Sequence, residues 1–149
     1  MKLAFTLDHP RAFIFAPDDF PEDPEERQKG LEKSTNFVVC QGPAPDPDKP
    51  HTDSYGRFTF APLPGNCGIV VSTDTWIAER WRKQGSADRL HKIKENIARQ
   101  LGYSLMLSTS ISTNMPQVIS AAKAGWKFVD HFQNKRTNHQ CLIGIKHLK

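Results

Sequence analysis

Arg82, Gly85 and Ala87 stand close together within the stretch 77–87, IAERWRKQGSA, where an apolar run gives way to an amphipathic one. Residue types in that order suit a polyphosphate. Glycine permits a tight turn whose N–H groups face inward, a small residue lets a ligand approach the first helical turn, and the start of the following helix carries partial positive charge. Lys83, Gln84 and Ser86 complete the loop, and Arg80, Arg82, Lys83 and Arg89 supply cations for a polyanion. The pattern R-x-x-G-x-A also occurs in ordinary strand-to-helix turns, so its meaning rests on what flanks it.

Asn114 follows after one helix and one strand, and Gly125-Trp126 follows Asn114 by eleven and twelve residues. Thr75-Trp76-Ile77, then Trp81 to Ala87, Ser104 to Ile111, and Asn114 through Gly125-Trp126 together resemble the core of the GCN5-related N-acetyltransferases. The resemblance covers about residues 67 to 148, and residues 1 to 66 match that family only loosely. It implies an α/β fold with a mixed, mostly antiparallel central sheet of about six to seven strands and helices on both faces. It further implies one domain, 1–149, with a variable acceptor-side half at 1–66 and an acyl-CoA-binding core at 67–148.

The same resemblance implies acetyl-CoA or another acyl-CoA as co-substrate, attacked directly by an amine. The backbone at Trp76 and Ile77 would hold the pantetheine arm like an added strand, and the amides from Lys83 through Gln84, Gly85 and Ser86 to Ala87 would bind the pyrophosphate. Asn114 would touch the cofactor near the start of the next helix; it also reads as a helix cap, and the two roles are compatible. The family commonly carries a proton-donating Tyr seven residues after this Asn, where this chain has Ala121. Alanine moves no proton, and the two tyrosines, Tyr55 and Tyr103, lie elsewhere. A thiolate is a tolerable leaving group near neutral pH, which makes the loss survivable.

The general base has several candidates. Asp74 is the one acidic side chain in the strand before the loop, although a bulge there would change the face it occupies. His51, Asp53 and Tyr55 fall in a proline-rich stretch that could close over an acceptor, which makes Tyr55 a second catalytic candidate. His131 and His139 flank the last loop, where the family often shapes its acceptor pocket. Each of these also reads as an ordinary solvated polar residue.

The elements that must position these groups are legible in outline. Lys2 to Leu7 and Ala12 to Phe15, split by His9-Pro10, read as one bent strand. Asp23 as N-cap and Pro24 at the first helical position predict a short helix within 18–32. Phe37 to Cys40 reads as a strand, 42–56 as a long loop with four prolines, 57–61 as a half-buried strand, and 68–77 as the strand before the phosphate loop. Ala87, Leu90, Ile93, Ile97 and Leu101 recur at helical spacing, and Gly102 stops that helix. Residues 104–111 read as a strand, Asn114 and Pro116 open a slim alanine-rich helix, and 127–132 and 141–145 read as the last two strands.

A chain of 149 residues suits one core. No apolar run approaches a membrane span, and Asp8, His9 and Pro10 interrupt the N-terminal stretch before a signal core forms, so a soluble cytoplasmic protein is expected. Cys40, Cys67 and Cys141 are an odd number at wide spacings, which argues against a disulfide framework and against a zinc site; no metal is expected. The net charge of +4 and pI near 9.1 are within what the cations of an acyl-CoA site supply.

These readings converge on acyl transfer, with acetyl the expected group, from acyl-CoA to a primary amine. The short N-terminal half implies an open acceptor groove, which suits a large, even macromolecular, acceptor. A second reading is a catalytically degenerate protein of the same fold that binds acyl-CoA or interacts with nucleic acid. A third is transfer to a nucleic-acid amine, which the basic stretch 127–136 permits without indicating it.

Overall fold

The computed structural model describes residues 1–41, 54–65 and 68–148. Its elements are β1 (Lys2–Asp8), β2 (Arg11–Ala16), α1 (Pro24–Gln28), β3 (Thr35–Cys40), β4 (Ser54–Pro62), β5 (Ile69–Ile77), α2 (Ser86–Gln100), β6 (Leu105–Ile111), α3 (Met115–Lys123), β7 (Lys127–Gln133) and β8 (Gln140–His147). Among the described residues they form one mixed sheet of eight strands in the order β1-β2-β3-β4-β5-β6-β8-β7. All neighbours are antiparallel except β5 and β6. The expected α/β architecture is therefore present, with eight strands where six to seven were expected.

The difference begins at the N-terminus. The expected single bent strand is a hairpin, because His9-Pro10 reverses the chain and Asp8 pairs with Arg11 across the turn. Proline has no N–H to continue a ladder, so the apolar residues beyond it fold back instead of running on. The α1 start is as expected: Asp23 Oδ1 accepts the Glu25 N–H at 3.0 Å, with Pro24 behind it. The proline-rich segment ends sooner than expected, since Ser54, Tyr55 and Gly56 already belong to β4. Residues 42–53, with His51 and Asp53, lie outside the described residues, as does Cys67.

Cross-strand partners share a face, so the register assigns the core. Ile14 and Val39, Phe37 and Phe58, Val70 and Met106 are paired and point to one side. That side meets Leu90, Ile93 and Ile97 of α2 in the main cluster. Arg27 of α1 lies over the Phe5 and Phe20 rings at 4.8 and 4.9 Å, and Ala121 of α3 joins the same cluster. Among the described residues the helices thus pack on one face, not on both as expected. Phe13, Phe15, Val38 and Cys40 form a separate cluster on the other face. Among the described residues no helix packs on that face, yet all four side chains are buried there.

Gly102 ends α2 with φ +85°, Tyr103 N–H returning to Ala98 O and Gly102 N–H to Arg99 O. This left-handed end also lets α1 approach, because a Cβ on Gly102 would collide with the Gln28 carbonyl. The Tyr103 hydroxyl then accepts the Leu31 N–H at 2.7 Å, tying the segment after α1 to the end of α2.

One local irregularity shapes the functional half. Arg57 pairs with Trp76 but Thr59 with Thr73, so β5 carries an extra residue opposite Phe58, and Asp74 takes φ +51°. A bulge kinks its strand. Consistent with that, β5 pairs with β6 only from Ile69 to Val71, although β5 runs on to Ile77 and β6 to Ile111. Ser108 Oγ donates to Ser72 O at 3.2 Å just past the last pair. Each strand keeps its outer partner, β4 and β8 respectively, so the sheet opens between them.

Phe37 is fully buried at the centre of an aromatic group, with ring centroids of Phe58, Phe60 and Phe20 at 5.2, 5.8 and 5.7 Å. Phe37→Ala is expected to cost about 3–5 kcal/mol. A shift of the urea midpoint without a change in slope checks this.

Candidate functional site

The gap between β5 and β6 is the wall of a cleft of about 550 Å³. Thr75, Trp76 and Ile77 line it from β5, Ser108 and Ser110 from β6, and Arg82 from the connecting loop. Helix α2 contributes Ala87, Leu90, His91 and Lys94; α3 and its approach contribute Asn114, Gln117 and Ala121; Trp126 and Phe128 follow. The bulge decides which part of β5 faces in. It puts Thr75 and Ile77 on the helix-covered face with Ser72, whereas Trp76 pairs with Arg57 on the other and takes its guanidinium over the ring at 4.9 Å.

The mouth of the cleft is the turn into α2. Lys83 and Gly85 are both left-handed, with φ +62° and +73°, and Gly85 occupies the N-cap position with no side chain capping the helix. The first backbone bond of the helix is Arg89 N–H to Gly85 O, which leaves the amides of the first turn to other acceptors. A Cβ on Gly85 would meet nothing within 4 Å, so the turn is open on that side. Arg82 donates Nε–H to Ile77 O at 2.9 Å, and Arg89 donates to Ser86 Oγ at 3.1 Å, fixing both guanidinium groups beside the turn. Uncapped amides, a helix dipole and arginines at one point favour a bound anion.

Of the expected cofactor residues, Trp76, Ile77, Arg82, Ala87 and Asn114 line the cleft. Lys83, Gln84 and Gly85 form the turn beside it; Gln84 Nε2 donates to Arg80 O at 2.9 Å, and Ser86 is buried beneath. Asn114 does not cap α3 with its side chain: Nδ2 donates to Gln117 Oε1 at 3.0 Å. Ala121, at the position where the resemblance implies a Tyr, lines the cleft and is buried.

Tyr55 stands elsewhere than expected. It is a buried strand residue, not a loop residue, and its hydroxyl donates to Ser86 O at 2.7 Å. Its ring meets Trp81 edge-on at 6.0 Å, and burial raises its pKa. It supports the first turn of α2 from below and does not line the cleft. Asp74 is exposed at the bulge, next to Thr75 but outside the lining. His131 and His139 are exposed at the far edge of the sheet, His131 Nδ1 within 2.6 Å of Gln140 Nε2.

Gly125-Trp126, one of the motifs on which the resemblance rests, has a physical reason. Gly125, with φ +91°, closes α3 as Trp126 N–H returns to Ala121 O, and Lys146 Nζ fills the space where a Cβ would stand. That Nζ donates to Ala124 O at 2.6 Å and pairs with Glu95 at 3.2 Å, locking α3 to α2 through β8. Trp126 is thereby turned into the cleft wall.

Among the cleft residues that sequence reasoning did not name are both titratable side chains that α2 contributes, His91 and Lys94. Lys94 is 4% exposed and its Nζ donates to Thr75 Oγ1 at 2.8 Å. Burial pushes its pKa down to about 7 and that of His91 down to about 4, the latter helped by the Lys94 charge. The available signal was spacing: Lys94 follows Leu90 by four residues and so interrupts the apolar stripe of α2.

Among solved structures, a GNAT-family acetyltransferase from Elizabethkingia anophelis with acetyl-CoA bound is similar to this chain at 12% identity, over 92% of this chain and 98% of that one, with a TM-score of 0.68. An IAA acetyltransferase from Bacillus cereus is similar at 14% identity, over 92% and 99%, with a TM-score of 0.62. The GNAT-family acetyltransferase of Streptococcus pneumoniae is similar at 12% identity, over 83% and 71%, with a TM-score of 0.62. No protein-family model and no curated protein matches the sequence. At these identities the likeness establishes the fold, that of the GCN5-related N-acetyltransferases. Among the described residues no helix is long and apolar enough to cross a membrane, and there is no cluster of metal-ligating side chains.

A lysine whose folded pKa lies below its unfolded value of 10.5 costs stability, in full below about pH 7. The cost fades as pH rises from there toward 10.5, because the unfolded chain binds the extra proton throughout that window. Lys94→Met is therefore expected to be more stable than wild type at pH 7, with the difference shrinking at pH 9.5. Urea melts of both proteins at the two pH values check it.

Proposed function

We propose that this protein is an acyl-CoA-dependent N-acyltransferase that passes the acyl group directly to an amine. The observation that carries the reading is the uncapped, left-handed turn into α2, with Arg82 fixed beside it, opening onto a cleft between two diverging parallel strands. The amides from Lys83 to Ala87 and Arg82 would hold the pyrophosphate. The edges of β5 left unpaired by the divergence would hold the pantetheine amides as an added strand, with Trp76 and Ile77 at the near end. Asn114 and Gln117, which bond each other across the first turn of α3, would meet the arm from the opposite wall.

Three tasks remain for the chain once the arm is seated. The acceptor ammonium must lose a proton, the carbonyl must be polarised and the thiolate must leave. Asp74 is the one carboxylate on β5 and stands exposed at the bulge next to the cleft, so it is the proposed base for an amine arriving at the bulge. The thiolate leaves without a tyrosine, since Ala121 occupies that position; solvent supplies its proton. The acceptor is a primary amine.

A second reading is favoured by a specific observation: the cleft carries Ala121 where a proton donor would stand, which suits a protein that binds acyl-CoA without turning it over. Release of free thiol in the presence of an amine panel separates the two, since binding without release supports the second.

Coenzyme A is expected to raise the melting temperature of the wild-type protein. Gly85→Val should abolish that rise, because a β-branched residue resists φ +73° and its methyls enter the space above the turn. A folded Gly85→Val that binds coenzyme A at wild-type affinity would mean the phosphate cradle lies elsewhere.

Ala121→Tyr is expected to change turnover or acyl-CoA affinity, because a phenol at a cleft-lining position either donates a proton or fills the space. Steady-state thiol release and titration of acetyl-CoA measure both quantities; no change in either would move Ala121 out of the reaction zone.

A further inference from the structure

The interior of the cleft differs from its mouth. Lys94 lies eight residues beyond Ser86 on α2, about 12 Å farther along the axis at the rise of an α-helix. Its amine is at the inner end, held by the Thr75 hydroxyl just past the bulge. Neither acid of α2 serves it: Asp88 pairs with Lys92 at 3.3 Å and Glu95 with Lys146 at 3.2 Å. Among the described residues Lys94 makes no ion pair, and its one hydrogen-bond partner is neutral. A lysine is almost never fully buried without a pair, because the lost hydration is not returned.

Two further donors share the cavity. Trp126 Nε1 is buried with no partner, and Ser110 of β6 is buried on the facing wall. His91, one turn before Lys94, brings no negative charge. The inner cleft therefore offers an ammonium, an indole N–H and hydroxyls and, among the described residues, no anion to satisfy them. A ligand that supplies one completes the site.

We propose that the acyl group handled here ends in a carboxylate: the cleft selects a dicarboxylic acyl-CoA, of the malonyl or succinyl type, whose free carboxylate pairs with Lys94 Nζ. This rests on the acyl-CoA reading above and names the acyl class within it. Trp126 Nε1 and Ser110 Oγ are the neighbouring donors for the second carboxylate oxygen. The reaction itself is unchanged. The amine nitrogen bonds to the thioester carbonyl carbon, the C–S bond breaks, and coenzyme A leaves as a thiolate, the proton lost by the amine passing through Asp74 to solvent, which protonates the thiolate. The distal carboxylate is carried intact into the amide, so a cationic acceptor becomes an anionic product.

Isothermal titration of the wild-type protein with coenzyme A, acetyl-CoA, malonyl-CoA and succinyl-CoA tests this. One of the two carboxyacyl thioesters is expected to bind at least about tenfold tighter than acetyl-CoA, or about 1.4 kcal/mol. Lys94→Met is expected to bring that thioester and acetyl-CoA within about twofold of each other. Acetyl-CoA binding as tightly as both carboxyacyl thioesters to wild type, or a Lys94→Met protein that keeps the preference, overturns the inference while the acyl-CoA reading stands. Failure of all four compounds to bind overturns that reading, and the inference with it. The order of wild-type affinities decides the matter even where the variant does not fold.

Discussion

The parting of β5 from β6 is the constraint on which the rest depends. Two parallel strands joined through a helix would ordinarily pair along their whole length, and here they stop after Val71 and Leu107. The extra residue at Asp74 bends β5 while β4 and β8 hold the outer edges, so the gap is built into covalent register rather than left to side-chain choice. Everything a ligand would touch follows from it. The gap exposes strand backbone, the same bulge turns Thr75 inward, and the turn after β5 delivers the N-terminus of α2 to the opening.

The supports around the gap are largely polar and specific. Tyr55 holds the first turn of α2 through Ser86 O, and Lys146 ties α2 to the end of α3 through Glu95 and Ala124 O. Lys146 and Glu95 are each less than one-fifth exposed, a setting in which removing one partner leaves the other uncompensated. Gly125 belongs to this arrangement, since its missing Cβ is the space that Lys146 occupies. A residue that reads as a family landmark is, in this chain, a packing requirement for the wall that carries Trp126.

Charge divides the cleft into two zones. At the mouth, arginines and uncapped amides stand in partial contact with water, where cations cost little. At the inner end a single ammonium sits in the protein interior beside one hydroxyl. Apolar substitution of Lys94 would relieve a desolvation cost that the fold itself does not need. A cost of that kind is retained where function repays it, and the cleft is the one structural context shared by all the donors involved.

The sequence by itself determined the glycine turn before α2, the amphipathic α2 with its glycine stop, the order of elements from β3 onward and the alanine at position 121. Those features are local: glycine conformation, helical spacing and residue identity are written in adjacent positions. It could not decide the N-terminal hairpin, the burial of Tyr55 or the side on which the helices pack, because each depends on partners distant in the chain. The bulge at Asp74 was foreseeable only as an alternative, since an extra strand residue is defined by the register of β4. By residue type Lys94 resembles the helix's other lysine, Lys92, which faces water. Tertiary packing decided otherwise, placing Lys94 on the apolar stripe against β5, and turned a surface residue type into the interior charge of the cleft.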